Sequence, residues 1–269
     1  MHLKRLLTAF IALPLLIWLT AKGSPFLFTL LVSAIGILAL YEYFQITGRP
    51  LGASALGWIQ IIGYAAGLAV IWAAFFDSPE MIIRLILLNL LVTGLVSIIR
   101  IRFEPKILES VFRQMLAIVY VPVLISSLVF IRNGSDGPLW IFFLFSVVFV
   151  GDAAAFYAGT FFGRHKLIPL VSPGKTVEGS IAGIAGNMGA GLLCKTLLAL
   201  PITWGWCLLI SLLMGIAAQV GDLFESQMKR AADIKDSGNI LPGHGGILDR
   251  FDATLFAAPV LYLLKGWVI

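Results

Sequence analysis

The chain has 269 residues, of which 59% are hydrophobic and 12% are charged, and its mean hydropathy is +0.98. This composition excludes an ordinary soluble domain, in which apolar residues make up about 45–50% of the sequence. The formal net charge of +5 is typical of basic residues that anchor a protein at a membrane surface. No feature of the sequence supports nucleic-acid binding.

A helix needs about 20 apolar residues to cross the hydrocarbon core of a bilayer. The sequence offers nine such runs, separated by segments rich in Gly, Pro, Ser and charged residues. They cover about residues 4–21, 25–46, 54–76, 81–99, 111–131, 138–161, 177–199, 204–228 and 251–268. We therefore predict an all-α fold, a polytopic integral membrane helical bundle with about nine transmembrane helices.

The placement of Lys and Arg predicts how the bundle is oriented. With the N-terminus in the cytoplasm, fourteen of the 19 basic residues fall in inner segments and five in outer ones. Because inner loops carry the excess of Lys and Arg, we expect a cytoplasmic N-terminus and, with nine spans, an external C-terminus. The expected location is the cytoplasmic (inner) membrane, with the long polar loops 162–176 and 229–250 in the cytoplasm.

The most polar stretch, residues 226–252, lies between two of these apolar runs and contains acids, bases and glycines. It resembles the C-terminal signature of the phosphatidate cytidylyltransferases, also called CDP-diacylglycerol synthases. The residues that carry this resemblance are Ser226, Lys229-Arg230, Lys235-Asp236, Gly238, Pro242, His244-Gly245-Gly246, Asp249-Arg250 and Asp252. The chain departs from the family pattern at none of these positions.

Acids within or at the edge of apolar runs are candidates for chemistry, because a carboxylate at membrane depth is costly unless it is paired or hydrated. Asp152, Asp222 and Asp249 lie in such positions. The spacing leaves open a buried ion pair for Asp222 and a helix cap for Asp252. The family resemblance implies that Asp222 and Asp249 bind Mg²⁺, an ion that suits carboxylate oxygens. Binding of a second, monovalent cation beside Mg²⁺ is left as an alternative.

A second polar element, residues 172–179, reads Ser-Pro-Gly-Lys-Thr-Val-Glu-Gly. A P-loop is excluded because Pro169 stands where that motif needs its first glycine. The resemblance instead implies a nucleotide contact, in which Lys175 supplies a point charge for a phosphate. The alternative is a lysine that anchors a turn at the membrane surface.

The resemblance as a whole implies transfer of CMP from CTP to phosphatidic acid, which yields CDP-diacylglycerol and pyrophosphate. It implies catalytic roles for Asp222, Asp249 and Lys175. The implied substrate-binding residues are Asp152, Ser172, Thr176, Glu178, Ser226, Lys229, Arg230, Lys235, Asp236, His244, Gly245, Gly246 and Arg250.

The chain would act as one membrane domain, residues 1–269, with N-terminal helices in residues 1–135 and catalytic helices in residues 138–269. The expected partners are the bilayer, CTP and phosphatidic acid, and a homodimer stays open. Two other functions share parts of this pattern: a CTP-dependent polyprenol or lipid kinase, and a cation-coupled transporter.

Overall fold

The computed structural model of the protein describes residues 14–238, 240 and 245–268. Most of the predicted first span, residues 4–21, therefore lies outside the described residues, although residues 14–21 are helical. The predicted substrate contact His244 also lies outside them.

Besides the helical residues 14–21, the described chain contains nine α-helices and one β-ribbon. The first three helices are α1 (Pro25–Gly48), α2 (Trp58–Phe75) and α3 (Pro79–Arg100). The next three are α4 (Ile107–Ile118), α5 (Leu124–Asn133) and α6 (Gly137–Phe162). After the strands β1 (Lys166–Ile168) and β2 (Ser172–Thr176) come α7 (Val177–Leu197), α8 (Trp204–Ala231) and α9 (Leu248–Val268).

Capping residues fix several of the helix starts. The Ser24 hydroxyl accepts a hydrogen bond from the Leu27 amide at 3.3 Å, and Pro25 follows as the first helical residue of α1. This pairing is favourable because the cap satisfies an amide left free at a helix start, while proline has no amide to satisfy. Between α4 and α5, residues Val119–Val123 form a π-helical turn around Pro122, so these two helices make one bent span.

Six segments among the described residues are long and apolar enough to cross a membrane. They are Pro25–Leu51, Trp58–Phe75, Pro79–Arg100, Ile107–Asn133, Gly137–Phe162 and Trp204–Ala231. The prediction of a polytopic helical membrane protein is thus confirmed. The helices α7 and α9 do not belong to this set: α7 is rich in glycine, and α9 begins with charged residues. The count of nine spans stays a prediction.

The predicted polar loop 162–176 contains the ribbon, a small departure from an all-α fold. The two strands are antiparallel, with Lys166 opposite Thr176 and Ile168 opposite Ser172. The Thr176 hydroxyl then caps α7 by accepting a hydrogen bond from the Gly179 amide at 3.1 Å. The ribbon therefore leads directly into α7 and holds residues 172–176 in a fixed position.

Small residues let α7 pack closely against α6 and α8. The buried Asn187 side chain of α7 donates to the Val147 carbonyl of α6 at 2.7 Å. A Cβ added at Gly151 of α6 would lie 2.0 Å from the Asn187 amide nitrogen, and one at Gly215 of α8 would lie 2.4 Å from its oxygen. The Asn187 side chain is thus enclosed between α6 and α8, and only glycine leaves room for it at residues 151 and 215.

Candidate functional site

A cavity of about 730 Å³ lies between α6, the ribbon, α8 and the start of α9. It collects side chains that are far apart in the sequence. Its charged lining residues are Asp152, Lys175, Asp222, Lys229, Asp236, Asp249, Arg250 and Asp252. Seven of these eight residues were predicted to be site residues, and the cavity brings the two polar elements of the sequence to one place.

The ribbon meets α8 through an ion pair. The Lys175 Nζ atom lies 2.6 Å from Oδ2 of Asp222, and both side chains are partly exposed to the cavity. The other carboxylate oxygen, Oδ1, accepts a long hydrogen bond of 3.4 Å from the Ser226 hydroxyl. The ion pair that the spacing left open for Asp222 is therefore present, and it joins the predicted nucleotide element to a predicted metal ligand.

A second lysine, Lys229, bridges two acids. Its ammonium group pairs with the carboxylate of Glu225, one turn earlier on α8, and lies 2.7 Å from Oδ1 of Asp249 on α9. The Glu225 side chain is fully buried, and the Lys229 side chain is only 13% exposed. Lys229 thus neutralises two carboxylates and holds α8 against α9. Its predicted role as a substrate contact stays a prediction.

Asp249 lies in the first turn of α9, and backbone amides also hold it. Its Oδ2 atom accepts hydrogen bonds from the amides of Ser237 and Gly246, each at 3.0 Å. Its own amide donates to the Ser237 hydroxyl at 3.3 Å. Both carboxylate oxygens of Asp249 are therefore engaged, and the amides of Ser237 and Gly246 are held at this side chain.

Asp152 of α6 and Asp252 of α9 complete the acidic side of the cavity. Neither pairs with a basic side chain in any ion pair between described residues. Asp152, Asp222 and Asp252 lie close enough for their charges to interact. The helix-cap interpretation of Asp252 is wrong, because α9 begins four residues earlier, at Leu248.

Several predicted site residues contact neighbouring backbone instead of the cavity. Glu178 accepts hydrogen bonds from the amides of Arg164 and His165, at 3.1 and 3.2 Å, and its other oxygen lies 2.6 Å from His165 Nδ1. Arg230 donates to the carbonyls of Val171, at 3.1 Å, and Ile234, at 3.2 Å. These two side chains fasten the ribbon to its surroundings, so they support the site from outside.

The remaining predicted residues differ in position. Ser172 and Thr176 line the cavity, although the Thr176 hydroxyl is used as the α7 cap. Lys235 instead lines a second cavity of about 740 Å³, beside the end of α1. Gly245 and Gly246 belong to the turn before α9, where Gly245 has a φ of +82°, in the region that favours glycine.

Sequence reasoning missed three polar features. Asp252 faces the cavity, and its place three residues after Asp249 was a usable signal, because such residues share a helix face. Ser180 and Gln219, which hydrogen-bond to each other across α7 and α8, also line the cavity and lack a sequence signal. Glu42 is an acid within the predicted span 25–46, so the criterion that selected Asp152 also applies to it.

The carboxylate oxygens at the cavity have the chemistry that Mg²⁺ prefers. Among the described residues, no three or more His, Cys, Asp or Glu side chains are grouped so as to hold a metal ion together. Mg²⁺, however, is usually bound by one or two carboxylates and completed by water and substrate phosphates. Asp222 can offer Oδ1 to such an ion directly, whereas Asp249 must first give up a contact with Lys229. The residues fit a magnesium ion on these terms.

Comparison with known proteins places these features in a family. The sequence model of the cytidylyltransferase family matches residues 3–267. A phosphatidate cytidylyltransferase of Bacillus subtilis is 36% identical over 273 residues, which cover 97% of this chain and 96% of the relative. Proteins of the same name from Staphylococcus epidermidis and Brucella suis are 33% and 36% identical. These two alignments cover 97% and 96% of this chain, and 97% and 91% of the relatives.

Removal of the bridging cation should destabilise the protein. In Lys229→Met, the carboxylates of Glu225 and Asp249 lose their shared counter-charge in a buried position, and breaking such a pair costs about 3–5 kcal/mol. We expect a clear drop in the thermal unfolding temperature of the purified protein in detergent. The matched change Lys235→Met, at an exposed lysine, should have little effect. The double variant Glu225→Gln/Lys229→Met should regain part of the lost stability. Equal unfolding temperatures of Lys229→Met and Lys235→Met would contradict the bridging role of Lys229.

Proposed function

The chain belongs to the cytidylyltransferase family, and from that premise we propose that it transfers CMP from CTP to phosphatidic acid. A lipid phosphate oxygen attacks the α-phosphorus of CTP, and the bond from that phosphorus to the bridging oxygen breaks. Pyrophosphate leaves with the electron pair, and CDP-diacylglycerol remains. The substrate named for the relatives thus becomes the proposed substrate of this chain.

The single observation that carries the proposal is the charge arrangement of the cavity. Lys175 and Lys229 lie on it with Asp222 and Asp249. The reaction must bring two phosphate-bearing anions together, so positioning and charge neutralisation are the main tasks. A phosphate monoester has its second pKa near 6 and is largely ionised at neutral pH. The lipid nucleophile therefore needs no general base, and a site without a Ser-His-Asp arrangement is sufficient.

The described residues suggest how the work is divided. Lys175 of the ribbon contacts the CTP phosphates, and the neighbouring Gly174 has open space around it, which lets backbone amides approach a phosphate. Asp222 and Asp249 would hold Mg²⁺, which would supply neutralisation of phosphate charge and polarisation of the α-phosphate. The partly exposed carboxylates of Asp152 and Asp252 add negative charge that favours this ion.

The proposed orientation places this cavity on the cytoplasmic side of the inner membrane, where CTP is available. It rests on the fourteen-to-five distribution of Lys and Arg. A reporter inserted next to Ser237 should give a cytoplasmic signal, and one fused after Ile269 should give an external signal. Signals from the same side in both fusions would contradict a nine-span topology.

Label transfer distinguishes the proposed reaction from its alternatives. With Mg²⁺, phosphatidic acid and CTP labelled at the α-phosphate, the purified protein should produce labelled lipid and unlabelled pyrophosphate. A kinase would transfer label only from the γ-phosphate, and a transporter would transfer none. Either of these results would contradict the proposed function.

The same assay tests the role of Asp222. Asp222→Asn removes the charge that would hold Mg²⁺ while keeping the shape of the side chain, so turnover should fall by about two orders of magnitude or more. The matched change Asp233→Asn, at an exposed acid just after α8, should leave turnover unchanged. Full activity of Asp222→Asn at ordinary Mg²⁺ concentrations would remove Asp222 from the metal site.

A further inference from the structure

Glu42 is a carboxylate of α1 that reaches the segment before α9. Its side chain is fully buried, and three donors surround it. Oε2 accepts hydrogen bonds from the Ser237 hydroxyl at 3.2 Å and from the Leu248 amide at 2.8 Å. Oε1 accepts one from the Ile247 amide at 3.0 Å. A single side chain of the N-terminal helices thus holds both sides of the polar turn that leads into α9.

The contacts continue from Glu42 to the candidate site. The Ser237 hydroxyl donates to Glu42 and accepts from the Asp249 amide at 3.3 Å. The Ser237 amide donates to the Asp249 carboxylate at 3.0 Å. One residue, Ser237, therefore separates Glu42 from Asp249, and a displacement of Ser237 would move both the backbone and the side chain of Asp249.

The turn fits closely around the Glu42 carboxylate. A Cβ added at Gly246 would lie 1.9 Å from the Ser237 hydroxyl oxygen and 2.5 Å from Glu42 Oε2. A Cβ added at Gly238 would lie 2.5 Å from Glu42 Oε1. These separations are too short for any side chain, so both glycines are explained by the position of Glu42.

The charge of Glu42 suits the place it occupies. A buried carboxylate is costly unless donors surround it, and here two of its donors are amides at the N-terminal end of α9. The positive end of the helix dipole also favours a negative charge at this point. Glu42 acts as a cap for α9, supplied by another helix.

We propose that Glu42 is a positioning residue for the reaction: it holds Ser237 and the amides of Ile247 and Leu248 so that Asp249 points into the cavity. The proposal assigns a task to the N-terminal helices, whose sequence carries no other site residue. It rests on the proposed function, since Asp249 matters only if the cavity is the active site. Glu42 does not line that cavity, so it acts through Ser237 and Asp249.

The test compares Glu42→Gln with a control in the same half of the protein. The glutamine has the same shape, but its amide group can accept at one atom only and directs N–H groups at the donors that met the carboxylate. The control is Gln114→Leu, which breaks the buried pair between Gln114 and Asn89. It disturbs α3 and α4 but leaves the turn before α9 untouched.

Glu42→Gln should lower kcat per folded molecule by roughly ten- to a hundredfold. The KM for CTP should change by no more than about twofold, because the ribbon and Lys175 are unaffected. Gln114→Leu should lower the unfolding temperature and leave kcat unchanged. Ser237→Ala should also lower kcat, and the double variant with Glu42→Gln should be little worse than either single variant, because both break the same connection.

Amide hydrogen exchange gives a readout that is independent of activity. Peptides covering residues 234–238 and 245–250 should exchange faster in Glu42→Gln than in the unmodified protein, while Gln114→Leu should leave them unchanged. A kcat of Glu42→Gln within about twofold of the unmodified value would overturn the inference. So would an equal kcat loss in Gln114→Leu, or unchanged exchange in Glu42→Gln. Failure of the proposed function is a separate result: the unmodified protein would then transfer no α-phosphate label to lipid.

Discussion

The structure depends on the compensation of carboxylates that lie within the apolar helices or at their ends. An isolated charge in this environment is costly, and the chain compensates its acids in two ways. Asp222 is paired with Lys175, while Glu225 and Asp249 share Lys229. Glu42 is held by amides and a hydroxyl. Each of these contacts joins two elements of the fold, so the charged residues determine which elements pack together.

The same contacts produce a cavity suited to polyanions. The lysines that neutralise the acids also line the cavity. In the proposed mechanism, a substrate phosphate would pair with such a lysine, and a divalent ion would bind the carboxylate that the lysine leaves. In that mechanism, Asp152 and Asp252, which have no lysine of their own among the described ion pairs, would favour the arrival of that ion. Ligand binding would then exchange one set of charge pairs for another.

Most of the helices could be predicted well from the sequence because they are long apolar runs between breaking residues. The predicted span 25–46, for example, corresponds to α1, Pro25–Gly48. The ribbon could not be predicted, since its short strands, Lys166–Ile168 and Ser172–Thr176, carry no alternating pattern. Asp152, Asp222 and Asp249 were found because carboxylates are rare in apolar runs. Their partners were not, because the position of Lys229 in the sequence does not reveal that it lies between Glu225 and Asp249.

The residues of the two polar elements serve the site in different ways that the sequence alone could not separate. Asp249 and Lys229 line the cavity, whereas Arg230 and Glu178 bind backbone groups that hold the ribbon in place. Gly238 and Gly246 are required by the close approach of Glu42, from the other half of the chain. A residue that belongs to a motif can thus serve the site by shaping the segment that carries it.

The central claim is that the ribbon lysine Lys175, paired with Asp222, is the contact for the CTP phosphates. Steady-state kinetics of Lys175→Ala test it most directly, with Lys166→Ala as the control, because Lys166 lies in the same ribbon but does not line the cavity. Loss of one charge-assisted contact should raise the KM for CTP by roughly ten- to a hundredfold and leave the KM for phosphatidic acid nearly unchanged. A change in the use of phosphatidic acid alone, or normal kinetics for both substrates, would contradict the account.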